Sequence, residues 1–507
     1  MSAVLAAASL LPACAAQPSL PKAPVPVPFT KAMPILPILK PTGTTEGVTI
    51  YELAARKGTT SFLPGTSDET YGYNGKLLGP TIRLRRGEEV EIRIHNELDG
   101  GQVTNVHWHG MRRIAASADG PNNDIPPGGN FTSRFTVNQP AATLWYHPHW
   151  ANTGFQIYKG LAAFLYIEDE HSDTLALPRE YGVNDFPVIV QDKSFYPDGR
   201  LAYMTHPDEE DRMLGDHIFV NGVFNPYLEV PRGMVRLRLL NVSNARRYDF
   251  AFEDGRTFHL IASDGGFLPA PAAVTSVSLG GAERVELLVD FSRDAPDARV
   301  KLVSRAFETW PNERGPIVLV DGRPELSPNA VGNPFAVMEL RVARPGSSAG
   351  IPRQLVEPDW PRESAARVTR TFRLNDTGKP TINGLRLDMK RIDADVKPGA
   401  TEIWAVINED ENFPHTFHVH GIQARVMDRT IGGMPVPLFP MEAGPKDTVL
   451  VRPGETVRLL GHFDELTGLY MFHCHVLEHE DLGMMGTFLV APPGQRPADP
   501  PAHGHGR

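Results

Sequence analysis

One pattern occurs three times along this chain and restricts its fold more than any other feature. Each copy has an Asn-Gly pair, a short strand-like run, a turn glycine, an alternating strand, and an asparagine where that strand ends. The copies are Asn74-Gly75 with Gly87 and Asn96, Asn221-Gly222 with Gly233 and Asn241, and Asn383-Gly384 with Gly399 and Asn408. Self-similarity at roughly 150 residues, punctuated by Asn-Gly and glycine turn signals, marks a repeated β domain. Within the copies, Glu89-Val90-Glu91-Ile92-Arg93-Ile94 and Val235-Arg236-Leu237-Arg238-Leu239 alternate with period two, as a half-buried strand does. At 507 residues the chain also exceeds what one hydrophobic core organises. The reading is all-β: three copies of one β-sandwich over residues 45–172, 173–350 and 351–492, with the Pro-rich stretch from Arg344 to Pro361 as linker. Long amphipathic helical windows are scarce, and the best is a short one near Asp185.

Residues 17–44 form a leader with prolines at 18, 21, 24, 26, 28, 34 and 37, which should run extended over a domain because proline cannot hold a helix or a central strand. Residues 1–16 are small and apolar and end in Ala13-Cys14-Ala15, which fits an export signal with a small-x-small cleavage site although the basic start is missing. Leu11-Pro12-Ala13-Cys14 also allows lipidation at Cys14. Either reading places the protein in the periplasm or outside the cell. No other stretch approaches the ~18 uninterrupted apolar residues of a spanning helix. Residues 493–507, with His503-Gly504-His505, read as a disordered tail. A formal charge of -10 without a long Lys/Arg run argues against a nucleic-acid partner. The chain has two cysteines, Cys14 in the export segment and Cys474, so the mature protein forms no internal disulfide. An unpaired cysteine kept in an oxidising compartment needs another reason.

Its neighbours supply one. Ten of the 18 histidines lie in four clusters: His107-Trp108-His109-Gly110, His147-Pro148-His149, His415-Thr416-Phe417-His418-Val419-His420-Gly421, and His473-Cys474-His475 followed by His479 and Met484. The middle repeat has none. On a strand, residues i and i+2 share a face and i+1 takes the other. Parity therefore sets Cys474 and His415 against His473, His475, His418 and His420. One site would join Cys474, His415, His479 and a methionine, a soft set suited to copper that cycles between Cu(I) and Cu(II). The other would gather His107, His109, His147, His149, His418, His420, His473 and His475, too many imidazoles for one ion and four from each of two domains. Cys474 joins the two sites covalently.

These motifs, HWHG, HPH, HTFHVHG and HCHVLEHEDLGMM, resemble in order and spacing the four copper-binding motifs of the multicopper oxidase family, especially its bacterial laccase, spore-coat and cuprous-oxidase branch. The resemblance covers nearly the whole mature chain. It implies three consecutive cupredoxin-like Greek-key β-sandwich domains and four copper ions: one type 1, one type 2 and a type 3 pair. By position, His415, Cys474 and His479 resemble the type 1 ligands, with Met484 as the axial ligand chosen over adjacent Met485 by family spacing alone. His107 and His418 resemble the type 2 pair, and His109, His147, His149, His420, His473 and His475 the type 3 ligands. Asp119 and Glu480 stand where relatives keep carboxylates near the cluster or its water channels. Reduction of dioxygen consumes four protons, so both read as proton relays.

The implied activity couples four one-electron oxidations of phenols, aromatic amines or related dyes to reduction of dioxygen to two waters. The donor is expected at a ring edge of exposed His479 or His415, with the electron crossing Cys474 to His473 or His475. A rival is a metallo-oxidase of Cu(I), Fe(II) or Mn(II). Met427, Met434 and Met441 occupy or border a Gly/Pro-rich loop, Asp428 to Gly444, expected to overhang the type 1 site. The long Met-rich insert of cuprous oxidases is absent, however, and Glu411 and Phe413 replace their Met-bearing approach, so packing is the favoured role of these methionines. A copper-free structural relative in the cell envelope is disfavoured by the complete ligand set, and a copper nitrite reductase by the His-Cys-His triplet. His95, His171, His206, His217, His259 and His462 read as structural or exposed. Trp108 and Tyr146 point away from the metals by parity and read as packing. A monomer is the expected state.

Overall fold

The computed structural model describes residues 28–149, 152–204, 211–320, 323–346 and 350–495. The export segment with Cys14, the first part of the leader, His206, and the tail from residue 496 with His503 and His505 lie outside the described residues.

The three repeats fold alike, and their asparagines show why. In each, an early strand pairs in parallel with the alternating strand: Val48–Thr60 with Glu89–Glu97, Asp185–Phe195 with Met234–Asn241, and Val368–Asn375 with Thr401–Asn408. The Asn-Gly asparagines adopt left-handed backbone, φ 55° at Asn74, 47° at Asn221 and 55° at Asn383. Each Oδ1 then accepts from a backbone N–H of the early strand, at Ala54, Ile189 and Arg373. Each side-chain amide donates to a carbonyl two residues earlier on that strand, at Glu52, Pro187 and Thr371. The strand-ending asparagines repeat a second device. Asn96, Asn241 and Asn408 each accept from the N–H two residues on and donate to two carbonyls, which stitches the loop after the strand to a neighbouring one. These asparagines replace ladder hydrogen bonds where the backbone leaves the sheet, and a buried polar backbone has to be satisfied.

Each repeat closes two sheets over one apolar core. The first core runs from Tyr51 to Ile167, the second is built mainly from Phe186 to Val342, and the third mainly from Phe372 to Val490. The fold class is all-β, three consecutive cupredoxin-like Greek-key sandwiches. The described end of the leader bridges two of them. Lys31–Ala32 pairs in parallel with Pro226–Arg232 of the second unit, while Pro37 O accepts from Thr81 N of the first at 2.7 Å.

Two expectations fail. The window near Asp185 is no helix: Asp185–Phe195 is a strand buried along its whole length between two neighbours, so its pattern is near-continuous rather than alternating. The segment Asp428 to Gly444 is not a plain loop. It completes an antiparallel hairpin, Arg425–Ile431 with Met434–Val436, turned by Gly432 and Gly433, and then a 3-10 turn at Pro440–Ala443. Met441 is buried in the second unit's core, while Met434 at the hairpin tip is 70% exposed. Arg429, paired with Glu442 and Glu455, holds the segment down.

Candidate metal centre

The strand Gly468–Cys474 lies antiparallel to His415–Val419 in a register that sets His418 opposite His473 and Phe417 opposite Cys474. Opposed residues share a face. His418 and His473 therefore meet on one side of the sheet, and Cys474 meets His415 on the other. In the first unit His107–His109 pairs with Ala142–His147 so that His107 faces His147. Trp108 and Tyr146, one residue out of phase, enter the first core, where Trp108 Nε1 donates to Ser133 Oγ at 3.0 Å.

All eight histidines on the cluster face are buried, and they come together at the seam between the first and third units. His107 Nε2 lies 3.4 Å from His418 Nε2, His149 Nε2 lies 3.2 Å from His473 Nε2, and His109 Nδ1 lies 3.2 Å from His147 Nε2. Their ring nitrogens sort into converging groups: His107 with His109 and His418, His109 with His147 and His475, and His149 with His420 and His473. On the other face Cys474 Sγ is 3.5 Å from His415 Nδ1 and 3.7 Å from His479 Nδ1. Met484 is tied to this group through its backbone, since its carbonyl accepts from Cys474 N and its N–H donates to His479 O.

The donor set fits copper. Burial holds His147, His149, His420 and His475 well below the ordinary imidazole range, reinforced by neighbouring imidazoles, and it lowers His418 to about 4. These are neutral rings with lone pairs to give. Both nitrogens of His475, and Nε2 of His479, have no hydrogen-bond partner among the described residues although fully buried. Orphaned buried nitrogens that converge are costly without a bound cation, and soft thiolate with imidazole selects copper. At His415 burial works downward, but the Cys474 thiolate and Asp410 raise it to about 9.

The outer groups orient the rings. His107 Nδ1 donates to Asp119 at 2.9 Å, and Asp119 also accepts from Trp108 N and Gly120 N. Burial opposes charge on Asp119, yet His107 and His420 hold its carboxyl well below the usual range. Glu480, from the short helix Leu477–Asp481 that also carries His479, sets its carboxylate 3.2 Å from His473 Nδ1 and 3.7 Å from His149 Nε2, with neither oxygen hydrogen-bonded among the described residues. His147 Nδ1 donates to Pro148 O and His418 Nδ1 to Asp447 O. Such contacts leave the opposite nitrogen free for metal.

His479 and His415 are not exposed. Both have zero accessible surface. The Phe413 ring lies 5.9 Å from His415 and 5.8 Å from His479, and the Arg212 guanidinium of the second unit covers Phe413 at 4.7 Å. Two acids that sequence reasoning missed face the outer nitrogens: Asp410 Oδ2 at 3.7 Å from His415 Nε2, and Asp376 Oδ2 at 4.0 Å from His479 Nε2. Asp447 and Thr448, which touch His109 and His418, were missed too, as was Arg284, which holds Asp447. Asp410 stands five residues before His415 and could have been found by proximity. The others come from strands and loops remote from the histidine motifs, and no spacing signals them.

Fold and donor chemistry together define the class, cupredoxin-like sandwiches that bring buried histidines and a cysteine together as metal-ligating groups. Two family models described as multicopper oxidase match residues 54–172 and 358–494. The chain is 36% identical over 444 residues to multicopper oxidase mco of Staphylococcus haemolyticus, spanning 87% of this chain and 88% of that one. It is 37% identical over 438 residues to cell division protein FtsP of Escherichia coli, spanning 85% and 87%. Among solved structures, a laccase from Pediococcus acidilactici matches with a TM-score of 0.80 at 35% identity, over 94% of this chain and 96% of that one. The chain belongs to the multicopper oxidase family.

Proposed function

We propose that the protein is an exported laccase-like oxidase that couples four one-electron oxidations of phenolic or aromatic donors to reduction of dioxygen to two waters. One observation carries the reading: a thiolate–imidazole site and an eight-imidazole cluster lie on opposite faces of one strand, with Cys474 bonded through the backbone to His473 and His475. The working division of the chain is residues 45–172, 173–350 and 351–492. His415, Cys474, His479 and Met484 would hold the type 1 copper, His107 and His418 the type 2, and His109, His147, His149, His420, His473 and His475 the type 3 pair. Copper in this set supplies the one-electron acceptor and the site of dioxygen reduction.

The remaining work belongs to the chain. Asp119 fixes His107 so that its Nε2 faces His418. Glu480, buried with neither oxygen hydrogen-bonded among the described residues, is the group best placed to hold and deliver a proton beside His473 and His149. Asp119, whose Oδ1 already accepts from His107, Trp108 N and Gly120 N, is the lesser relay and chiefly an orienting group. Phe413 and Arg212 keep bulk water from the type 1 rings.

That cover gives the metallo-oxidase reading a specific footing. The carboxylates of Asp376 and Asp410 stand 4.0 and 3.7 Å from the outer nitrogens of His479 and His415, and such acids would attract a small cationic donor where the covered rings offer an aromatic one no edge. Turnover of a phenol compared with that of Cu(I) separates the two. FtsP-like relatives raise a third reading, a copper-free role, which a copper count tests directly. The fully loaded protein should hold about four coppers per chain and show an intense thiolate-to-copper band in the red. Cys474→Ser should abolish that band while leaving cluster copper in place. A count near zero would overturn the oxidase reading, and a surviving band would overturn the type 1 assignment.

A further inference from the structure

We infer that Arg284, from the middle unit that contributes no ligand, is a positioning residue for the eight-histidine cluster and acts through Asp447. This rests on the copper-cluster reading above. Arg284 is fully buried where the three units meet, and its donors reach all of them. Nε donates to Thr143 O of the first unit at 3.2 Å, and Nη2 to Asp264 O of its own unit at 2.9 Å. Nη1 and Nη2 clamp the two oxygens of Asp447 in the third unit at 2.7 and 2.6 Å. The approach is so close that a Cβ on Gly110 would sit 2.6 Å from both Arg284 Nη2 and Asp447 Oδ2. This explains the glycine that ends the His-Trp-His-Gly motif.

Asp447 passes the constraint to two ligands whose rings stack 3.7 Å apart. Its Oδ1 accepts from His109 Nε2 at 3.0 Å, and its backbone carbonyl accepts from His418 Nδ1 at 2.9 Å. Thr448 Oγ1 lies beside both nitrogens, at 3.1 and 3.2 Å, and itself donates to Asp447 Oδ1. With Nε2–H committed to the carboxylate, His109 must present the Nδ1 lone pair toward His147 and His475. With Nδ1–H committed to the carbonyl, His418 presents Nε2 toward His107. One residue thus selects the tautomer and ring orientation of a ligand in each of two ion groups.

An amide cannot replace the carboxylate. Asp447 receives two Arg284 donors, His109, Thr448 and Gln423 Nε2, and all of them need acceptor oxygen. Asparagine offers one oxygen, and an NH2 turned toward His109 would push its proton to Nδ1, the nitrogen meant for metal.

Three full-length variants test this: Asp447→Asn, Arg284→Met with Asp447→Asn, and Arg284→Lys. The double variant removes both charges, so no buried ion is left unpaired. Arg284→Lys keeps the charge but loses the two-pronged clamp. Each is loaded with graded Cu(I) from the apo state, reoxidised in air, and followed by copper count, by the red type 1 band and by the near-ultraviolet band of paired cupric ions. The expected result is an undiminished type 1 band, with cluster copper affinity lowered about 10- to 100-fold in Asp447→Asn and the double variant. A smaller loss of the same kind is expected in Arg284→Lys. A folded double variant that loads the cluster with wild-type affinity and an unchanged near-ultraviolet band would overturn the inference. Should the double variant not fold, unchanged cluster affinity in Arg284→Lys would overturn it equally. Loss of both bands in the wild type would instead sink the oxidase reading, so the two failures are distinguishable.

Discussion

At the scale of single residues, the adjacent methionines show how register decides chemistry. Met485 is the ladder partner of His473, so its side chain faces the cluster side of the sheet. Met484 precedes the strand, has zero exposure and packs in the apolar cluster that contains Cys474. Met484→Leu should therefore raise the type 1 reduction potential and alter the red band, because a weak thioether is lost from the copper. Met485→Leu should leave both unchanged, as spectroelectrochemical titration would show. The histidines also set a pH dependence for the metal-free protein. Burial lowers His147, His149, His418, His420 and His475 below the usual 6.5 or so, which means the unfolded chain binds more protons than the folded one at acid pH. The stability lost therefore grows as pH falls below about 6.5, by up to about 1.4 kcal/mol per pH unit for each such ring. The raised His415 works oppositely, and its contribution is lost as pH rises through about 9. Thermal melts of the apo protein should consequently fall steeply from neutral pH toward pH 5. A flat profile would mean that these rings are protonated within the fold.

At the scale of elements, the strand-ending asparagines are equivalent in the fold but not in their consequences. Asn408 accepts from Asp410 N at 2.9 Å and donates to Phe413 O and Val451 O. Asp410 and Phe413 are two of the groups that close over His415 and His479. Truncation leaves several buried backbone groups unsatisfied at about 1–3 kcal/mol apiece, so Asn408→Ala should cost about 3 kcal/mol or more by chemical denaturation. It should also shift the red band, whereas Asn241→Ala, with the same bonds in the ligand-free unit, should cost similar stability and leave the spectrum alone. The repeats were legible because these asparagines and the Asn-Gly turns need particular residues. The strand Asp185–Phe195 was misread because both its faces are apolar where it begins; its neighbour Met234–Asn241, expected to be half-buried, is buried as completely and keeps its alternation only because Arg236 and Arg238 are buried in ion pairs with Glu286 and Asp185.

At the scale of the whole molecule, the seams carry the functional constraints. The cluster lies between the first and third units, Arg284 ties all three, and Arg212 of the second unit lies over Phe413 of the third. If this cover limits donor access, Arg212→Ala should raise kcat/KM for a bulky phenol severalfold while leaving the copper count and the reaction with a small outer-sphere reductant unchanged. Equal effects on both donors would argue against a steric role.

The sequence by itself determined three sandwich units, ten histidines and one cysteine in a fixed parity scheme, and two sites on opposite faces of one strand. Those are consequences of backbone period and local turn chemistry, which operate over a few residues and are written in spacing. Only the tertiary structure decided that the His415 and His479 rings are sealed, that Asp376, Asp410 and Arg212 line their outer side, and that Arg284 of the middle unit clamps Asp447 beside His109 and His418. Those contacts join residues far apart in the chain, and they exist because packing three cores together buries their charges where only one another can satisfy them.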